Sequence, residues 1–141
     1  MAKDVVANII MQFRSCLPQE YQIFVELVEM LPGRPDSPVA PFVSLVLNIN
    51  VATLAHRDAK DKLLCLVLAV GHFSGGGLVL REPGLVVELR HGDFVCFPSG
   101  DTTHFNLEYV GERASLVMHT DGGFDKWKVD RNGWRDNPFF Y

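Results

Sequence analysis

The chain has 141 residues, 48% of them hydrophobic and 21% charged, with a formal net charge of −4. That length suffices to bury one sizeable core, fits a single domain, and with this apolar balance excludes an intrinsically disordered chain. The negative charge excludes broad electrostatic capture of nucleic acid or of an anionic membrane, so a polyanion has to be met by a local patch.

Cys16, Cys65 and Cys96 are odd in number, far apart and without a Cys-x-x-Cys pair, which argues against a disulfide framework or a zinc knuckle. A reduced, intracellular setting, nuclear or cytoplasmic, is expected. The most apolar N-terminal run, Val5 to Met11, is interrupted by Asn8 and preceded by Asp4, which is unlike a secretory leader. No run approaches membrane-spanning length, so no membrane partner is expected.

Residues 4 to 15 set Val5, Val6, Ile9, Ile10 and Phe13 at helical spacing behind Asp4, a suitable N-cap. A second helix is predicted from Pro18, with a stripe of Tyr21, Phe24, Val25, Val28 and Leu31, ending at Pro32-Gly33. Residues 31 to 41 carry four prolines and a glycine and read as an irregular connector. From Phe42 the pattern changes to short β-rich runs: 42–49, 63–70, 78–81, 85–89, 93–97 and 113–120. Turn signals separate several of them at Gly75-Gly76-Gly77, Pro83-Gly84 and His91-Gly92. The 63–70 run is apolar on both faces and is expected to be buried on both. Short strands with no helices between them predict an antiparallel sandwich or barrel of the jelly-roll kind. One domain of three parts is expected: a helical layer over 1–33, a core over 42–120 and an aromatic tail over 121–141.

The chemistry gathers after the 42–49 run. His56 and Asp58 are two apart, so extended backbone turns an imidazole and a carboxylate to one side. His104 follows 46 residues after Asp58. Two histidines and a carboxylate that leave open positions on the metal make the ligand set of non-haem iron(II) oxygenases. Arg113 and Ser115, again two apart on a strand, face one side. An arginine inside a barrel is an expensive isolated charge unless a carboxylate meets it, which implies a dicarboxylate ligand.

Other candidates have plainer readings. His72 and His91 are expected at turns, as solvated or capping residues, and His119 as a wall histidine at even spacing from Arg113. Cys65 and Cys96 read as inert core. Trp127, Trp134, Phe139, Phe140 and Tyr141 suit either packing of the tail or stacking on a flipped base, and Asn132-Gly133 suits a hairpin turn.

As an ordered set these residues resemble the iron(II)- and 2-oxoglutarate-dependent dioxygenases. The matching pieces are His56-Arg57-Asp58, the distal His104, and Arg113-x-Ser115. Gly71-His72-Phe73-Ser74-Gly75-Gly76-Gly77-Leu78 resembles the family's G-x-F-x-G-G turn, and Gly92-Asp93-Phe94-Val95-Cys96-Phe97 its G-D-x-x-x-F strand. The resemblance spans about residues 43 to 120. It implies an α+β, mainly β fold, a double-stranded β-helix with the N-terminal helices packed on it. By the same resemblance His56, Asp58 and His104 ligate Fe(II), Arg113 and Ser115 bind the distal carboxylate of the cosubstrate 2-oxoglutarate, and dioxygen is the second cosubstrate. Asn50 matches the place from which some members send an amide toward 2-oxoglutarate. The N-x-N-x-x-T-x-x-H-R-D-x-x-D pattern from Asn48 to Asp61 is most similar to the TET/JBP-like branch found in fungi, expected to oxidise 5-methylpyrimidines in nucleic acid.

Two departures bear on the substrate. The chain has no insert that would form a DNA-reading lobe and no zinc-cysteine cluster. Over residues 121–141, Lys126, Lys128, Arg131 and Arg135 are balanced by Asp121, Asp125, Asp130 and Asp136, which makes no phosphate track. Hydroxylation of a protein side chain or small molecule, and a non-catalytic jelly-roll binding module, are therefore the alternatives.

Overall fold

The computed structural model describes residues 2–31 and 37–130. Its contacts fall into two units, one drawn from the chain up to Ser44 and from Thr120 onward, the other comprising Leu45–His119. Among the described residues no helix is long and apolar enough to cross a membrane.

The first unit is helical. α1 (Ala2–Cys16) has Asp4 in its first turn and Arg14 in its last, each opposite in sign to the helix end it sits on. Its inner face is narrower than the apolar stripe predicts: Ile9 and Phe13, four apart, are buried, while Val5 is exposed. α2 (Pro18–Glu29) starts on Pro18, where a missing N–H costs nothing, and buries Phe24 and Leu27. Phe13 and Phe24 meet Phe42, with ring centroids 5.4 and 4.9 Å from it, so three fully buried rings form this unit's centre. The Thr120 hydroxyl, also buried, accepts the Val43 N–H at 3.2 Å.

The expected tail begins differently from its reading. After Asp121 accepts the Gly123 N–H on Oδ1, the chain enters α3 (Phe124–Asp130), whose Lys128 pairs with Glu26 at 3.5 Å. The proposed helix stop at Pro32-Gly33, the hairpin turn at Asn132-Gly133, and Trp134, Phe139, Phe140 and Tyr141 lie outside the described residues.

The second unit carries the strands. These are β1 (Ser44–Ile49), β2 (Cys65–Gly75), β3 (Leu78–Leu80), β4 (Leu85–Val87), β5 (Phe94–Phe97), β6 (His104–Asn106) and β7 (Tyr109–His119). They form a sheet in the order β1-β7-β2-β5 and another in the order β4-β3-β6. The spine is the antiparallel β2–β7 pair, in register from Leu66 opposite Met118 to Gly75 opposite Tyr109. Cys65, Leu78, Leu80 and Phe97 are buried together between strands of both sheets, with Val67, Val87, Val95 and Val117 packed on them. A mainly β architecture of antiparallel sheets with a few helices is what a jelly-roll oxygenase requires.

Two strands are longer than their apolar runs. β2 continues through Gly71-His72-Phe73-Ser74-Gly75, so the stretch expected as a turn is strand, and His72 is an exposed strand residue whose ring lies over His91 at 6.4 Å. β7 starts at Tyr109, four residues before the expected Arg113. Glycine explains both: Gly71 at φ +129° and Gly111 at φ +107° read as breaks in sequence but sit within paired strands. A Cβ on Gly71 would lie 2.2 Å from the Glu112 carbonyl oxygen, and one on Gly111 2.2 Å from that of His72, so close crossing of these strands needs both glycines. β1, at the end of its sheet, leaves Leu47 and Ile49 56% and 62% exposed.

Candidate metal centre

His56 is brought to His104 by backbone. The His56 N–H donates to the His104 carbonyl at 3.1 Å and the His104 N–H returns the bond at 2.9 Å, an isolated antiparallel bridge that sets the entry of β6 against the loop after β1. Asp58 follows two residues on, with its N–H held by the Ser99 carbonyl at 3.0 Å. The result is that His104 Nε2 lies 3.2 Å from Asp58 Oδ2 and His56 Nε2 3.6 Å from Asp58 Oδ1, and one ligand atom from each residue falls within 4.8 Å of the others. Adjacent donors at about 2.1 Å from one octahedral ion stand about 3 Å apart. The spacing fits a single metal ion.

Ring orientation supports the same use. His56 Nδ1 donates to the Leu54 carbonyl at 2.7 Å and His104 Nδ1 to the Thr102 carbonyl at 2.8 Å. A carbonyl only accepts, so each Nδ1 carries the proton and each Nε2 keeps its lone pair for the common point. Metal-bound imidazoles are held in this way, by a second-nitrogen bond to a carbonyl or carboxylate. The donor set of two imidazoles and one carboxylate suits iron and leaves coordination positions open.

The three groups face a cavity of about 320 Å³, whose wall includes Asn48, Ser115 and His119. Next to them lies a polar cluster that sequence spacing does not reveal. Ser99, fully buried, donates to Asp61 Oδ2 at 2.6 Å, and His119 Nδ1 approaches Asp61 Oδ1 to 3.2 Å at an angle short of a hydrogen bond. Asp61 stands in the His-Arg-Asp-x-x-Asp pattern, which was its only signal; His119 is the wall histidine expected. Burial pushes the Cys65 thiol up to about 12, against a lowering hydrogen bond with Ser99, so it stays protonated at neutral pH and is an inert part of the wall. Cys96 is only half buried.

Arg113 and Ser115 are 5% and 9% exposed on β7. The Arg113 guanidinium lies over the Phe73 ring, 5.4 Å from its centre, and among the described residues its Nε has no hydrogen-bond partner and no carboxylate pairs with it. Burial lowers its pKa, with Tyr109 raising it to a lesser extent. An unpaired buried cation is costly, and a carboxylate brought from outside would offset that cost. Asn50 is placed elsewhere: its backbone has φ +51°, its N–H donates to the Arg113 carbonyl at 2.8 Å and its Oδ1 accepts the Arg113 N–H at 3.0 Å. Its amide thus anchors the β7 backbone at Arg113, and the asparagines that line the cavity are Asn48 and Asn106.

A His-Asp-His group spaced to hold one metal ion thus sits on a mainly β, two-sheet frame. Compared with solved structures, the chain superposes on NgTET1 in complex with 5mC DNA with a TM-score of 0.70, at 18% identity, over 89% of its own length and 55% of that chain. The two share a fold, and the chain spans about half the length of that protein. A 2OG-Fe(II) oxygenase family oxidoreductase from Burkholderia pseudomallei matches at TM-score 0.46 and 26% identity over 53% of this chain and 41% of that one. A Pseudomonas putida prolyl-4-hydroxylase matches at 0.45 and 20% over 86% and 83%. Both overlays are too loose to argue from. No family model and no curated protein matches the chain.

Proposed function

We propose that the protein is an Fe(II)- and 2-oxoglutarate-dependent dioxygenase, built on a double-stranded β-helix. The observation that carries this reading is the convergence of His56 Nε2, His104 Nε2 and the Asp58 carboxylate, with both imidazoles oriented by carbonyls. His56, Asp58 and His104 would hold the iron. Arg113 and Ser115 would hold the distal carboxylate of 2-oxoglutarate, which answers the buried charge of the guanidinium. Bound Fe(II) and 2-oxoglutarate supply the activation of dioxygen for attack on a substrate C–H bond. The residues bind, orient and shield: the Nδ1 bonds fix the imidazoles, Asn50 holds the strand that carries Arg113, and burial keeps bulk water from the anion. Three protein ligands leave space for a chelating cosubstrate and for the gas.

The substrate reading is a 5-methylpyrimidine in nucleic acid. Its support is the fold shared with NgTET1, which was solved with 5mC DNA, together with the TET/JBP-like pattern through Asp61. Cys16, Cys65 and Cys96 form no disulfide, which supports a reducing compartment, nuclear or cytoplasmic.

The test is anaerobic titration of Fe(II) and 2-oxoglutarate, watched for a metal-to-ligand charge-transfer band. The band should appear in the wild type and be lost in Asp58→Ala and His56→Ala. Its absence from the wild type would leave a binding module without turnover. A panel of methylated oligonucleotides then decides the substrate: oxidised bases by mass spectrometry support it, whereas succinate formation that DNA does not stimulate would move it to a protein side chain or small molecule.

A further inference from the structure

The candidate ligands come from two chain segments, 56–58 and 104, and each segment bears one polar residue on its opposite side. Arg57 lies between His56 and Asp58, and Thr103 immediately precedes His104. Successive residues of extended backbone point to opposite faces, so ligands that face the cavity turn Arg57 and Thr103 outward. Both meet Glu82, in the turn after β3.

The meeting is tight. Glu82 Oε1 accepts from Arg57 Nη2 at 2.7 Å and from the Thr103 hydroxyl at 2.6 Å, while Glu82 Oε2 accepts the Thr103 N–H at 2.7 Å. Arg57 Nε donates to the Thr103 hydroxyl oxygen at 3.0 Å and closes the ring. Next to Glu82, the Arg81 N–H donates to the Thr103 carbonyl at 2.9 Å. Both faces of the same juncture are thus tied, by the paired His56 and His104 peptides and by a side-chain ring.

We infer that Glu82, Arg57 and Thr103 form a latch that fixes the spacing of the two ligand-bearing segments, with Glu82 as its positioning residue. The inference rests on the metal-centre reading above. The Thr103 hydroxyl first, and then the Arg57 guanidinium, hold the Glu82 carboxyl down to about 2, so the latch is charged in neutral solution. Its ion pair is half exposed, with side chains 51% and 40% accessible, and pairs so exposed add little to global stability. The effect of the ring goes into local geometry. Outer partners of metal ligands commonly change metal affinity by about 10–100-fold when lost.

The test uses Co(II), which takes the same nitrogen and oxygen donors and reports its coordination by absorption. Co(II) is titrated into the full chain as wild type, Glu82→Gln, Thr103→Val and Thr103→Ser. In the metal-free proteins, exchange of the His56 and His104 amide protons is followed by NMR. Glu82→Gln and Thr103→Val should weaken Co(II) binding by about tenfold or more and speed exchange of both amides, with little change in thermal midpoint. Thr103→Ser, which keeps the hydroxyl, should restore wild-type values. Unchanged affinity in Glu82→Gln and Thr103→Val overturns the latch, and so does faster exchange without loss of affinity, which would make the ring merely structural. If the wild type fails to bind Co(II), the metal-centre reading falls first, and the role of Glu82 with it.

Discussion

In the proposed reading Arg113 is the residue that holds the cosubstrate, and nothing among the described residues neutralises it. Charge-assisted hydrogen bonds contribute about 1.5–3 kcal/mol each, so Arg113→Ala should raise the Michaelis constant for 2-oxoglutarate about 10–100-fold. Co(II) binding should be unaffected. Arg113→Lys should recover little, since a point charge cannot replace a planar fork lying over Phe73. Steady-state kinetics with varied 2-oxoglutarate checks both variants, and an unchanged constant would move the clamp elsewhere. At this scale the sequence is most informative where side-chain spacing alone fixes the outcome. His56 and Asp58, two apart, converge as alternation requires. Asn50 has a left-handed backbone that sets its Oδ1 on the Arg113 N–H, a contact that no spacing rule carries.

Among the elements, the β2–β7 pair has the strictest requirement. Gly71→Ala or Gly111→Ala sets a methyl against the opposite carbonyl and a side chain at positive φ, and each should destabilise the fold by about 2–3 kcal/mol. Urea denaturation measures it, and a loss below about 1 kcal/mol would mean that the strands separate cheaply. These glycines also explain the misplaced strand ends, since in sequence a glycine reads as punctuation. β6 escapes prediction for another reason: three residues, His104–Asn106, are too few to show a period, and pairing with β3 and with His56 creates the strand. The turn after β3 has a pH signature. Glu82 drops from 4.5 to about 2 on folding, so its contribution is present above 4.5 and is lost as pH falls through about 2. The Thr103 amide proton, which donates to this carboxylate, should therefore titrate with a midpoint near 2; a midpoint near 4.5 would show that the ring opens in solution.

For the whole molecule, the helical prediction holds in kind and misses in partners. The rings of Phe13, Phe24 and Phe42 come from three separate places in sequence, and only tertiary contact reveals that they share one centre. Phe24→Ala should cost about 3–5 kcal/mol, read by chemical denaturation, because a fully buried ring leaves a cavity. The two-unit division is likewise invisible to composition, since Thr120 bonds to Val43 and Lys128 pairs with Glu26 across the sequence. Net charge was legible from the start and bears on the substrate. At −4, the chain has little to hold a phosphate backbone, so binding to short methylated duplexes should be no tighter than about 10⁻⁴–10⁻⁶ M at physiological salt. Fluorescence anisotropy measures this, and nanomolar affinity would overturn the expectation from net charge.

The edge strand β1 also governs how the protein behaves at high concentration. From Ser44 to Ala55 no residue is charged and none is proline, and Leu47 and Ile49 stand open to solvent. Among the described residues β1 pairs with β7 alone, and a strand edge with no gatekeeper templates further strands. A lysine at Leu47 should delay turbidity on heating and slow growth of thioflavin-positive material, while Co(II) affinity stays as before.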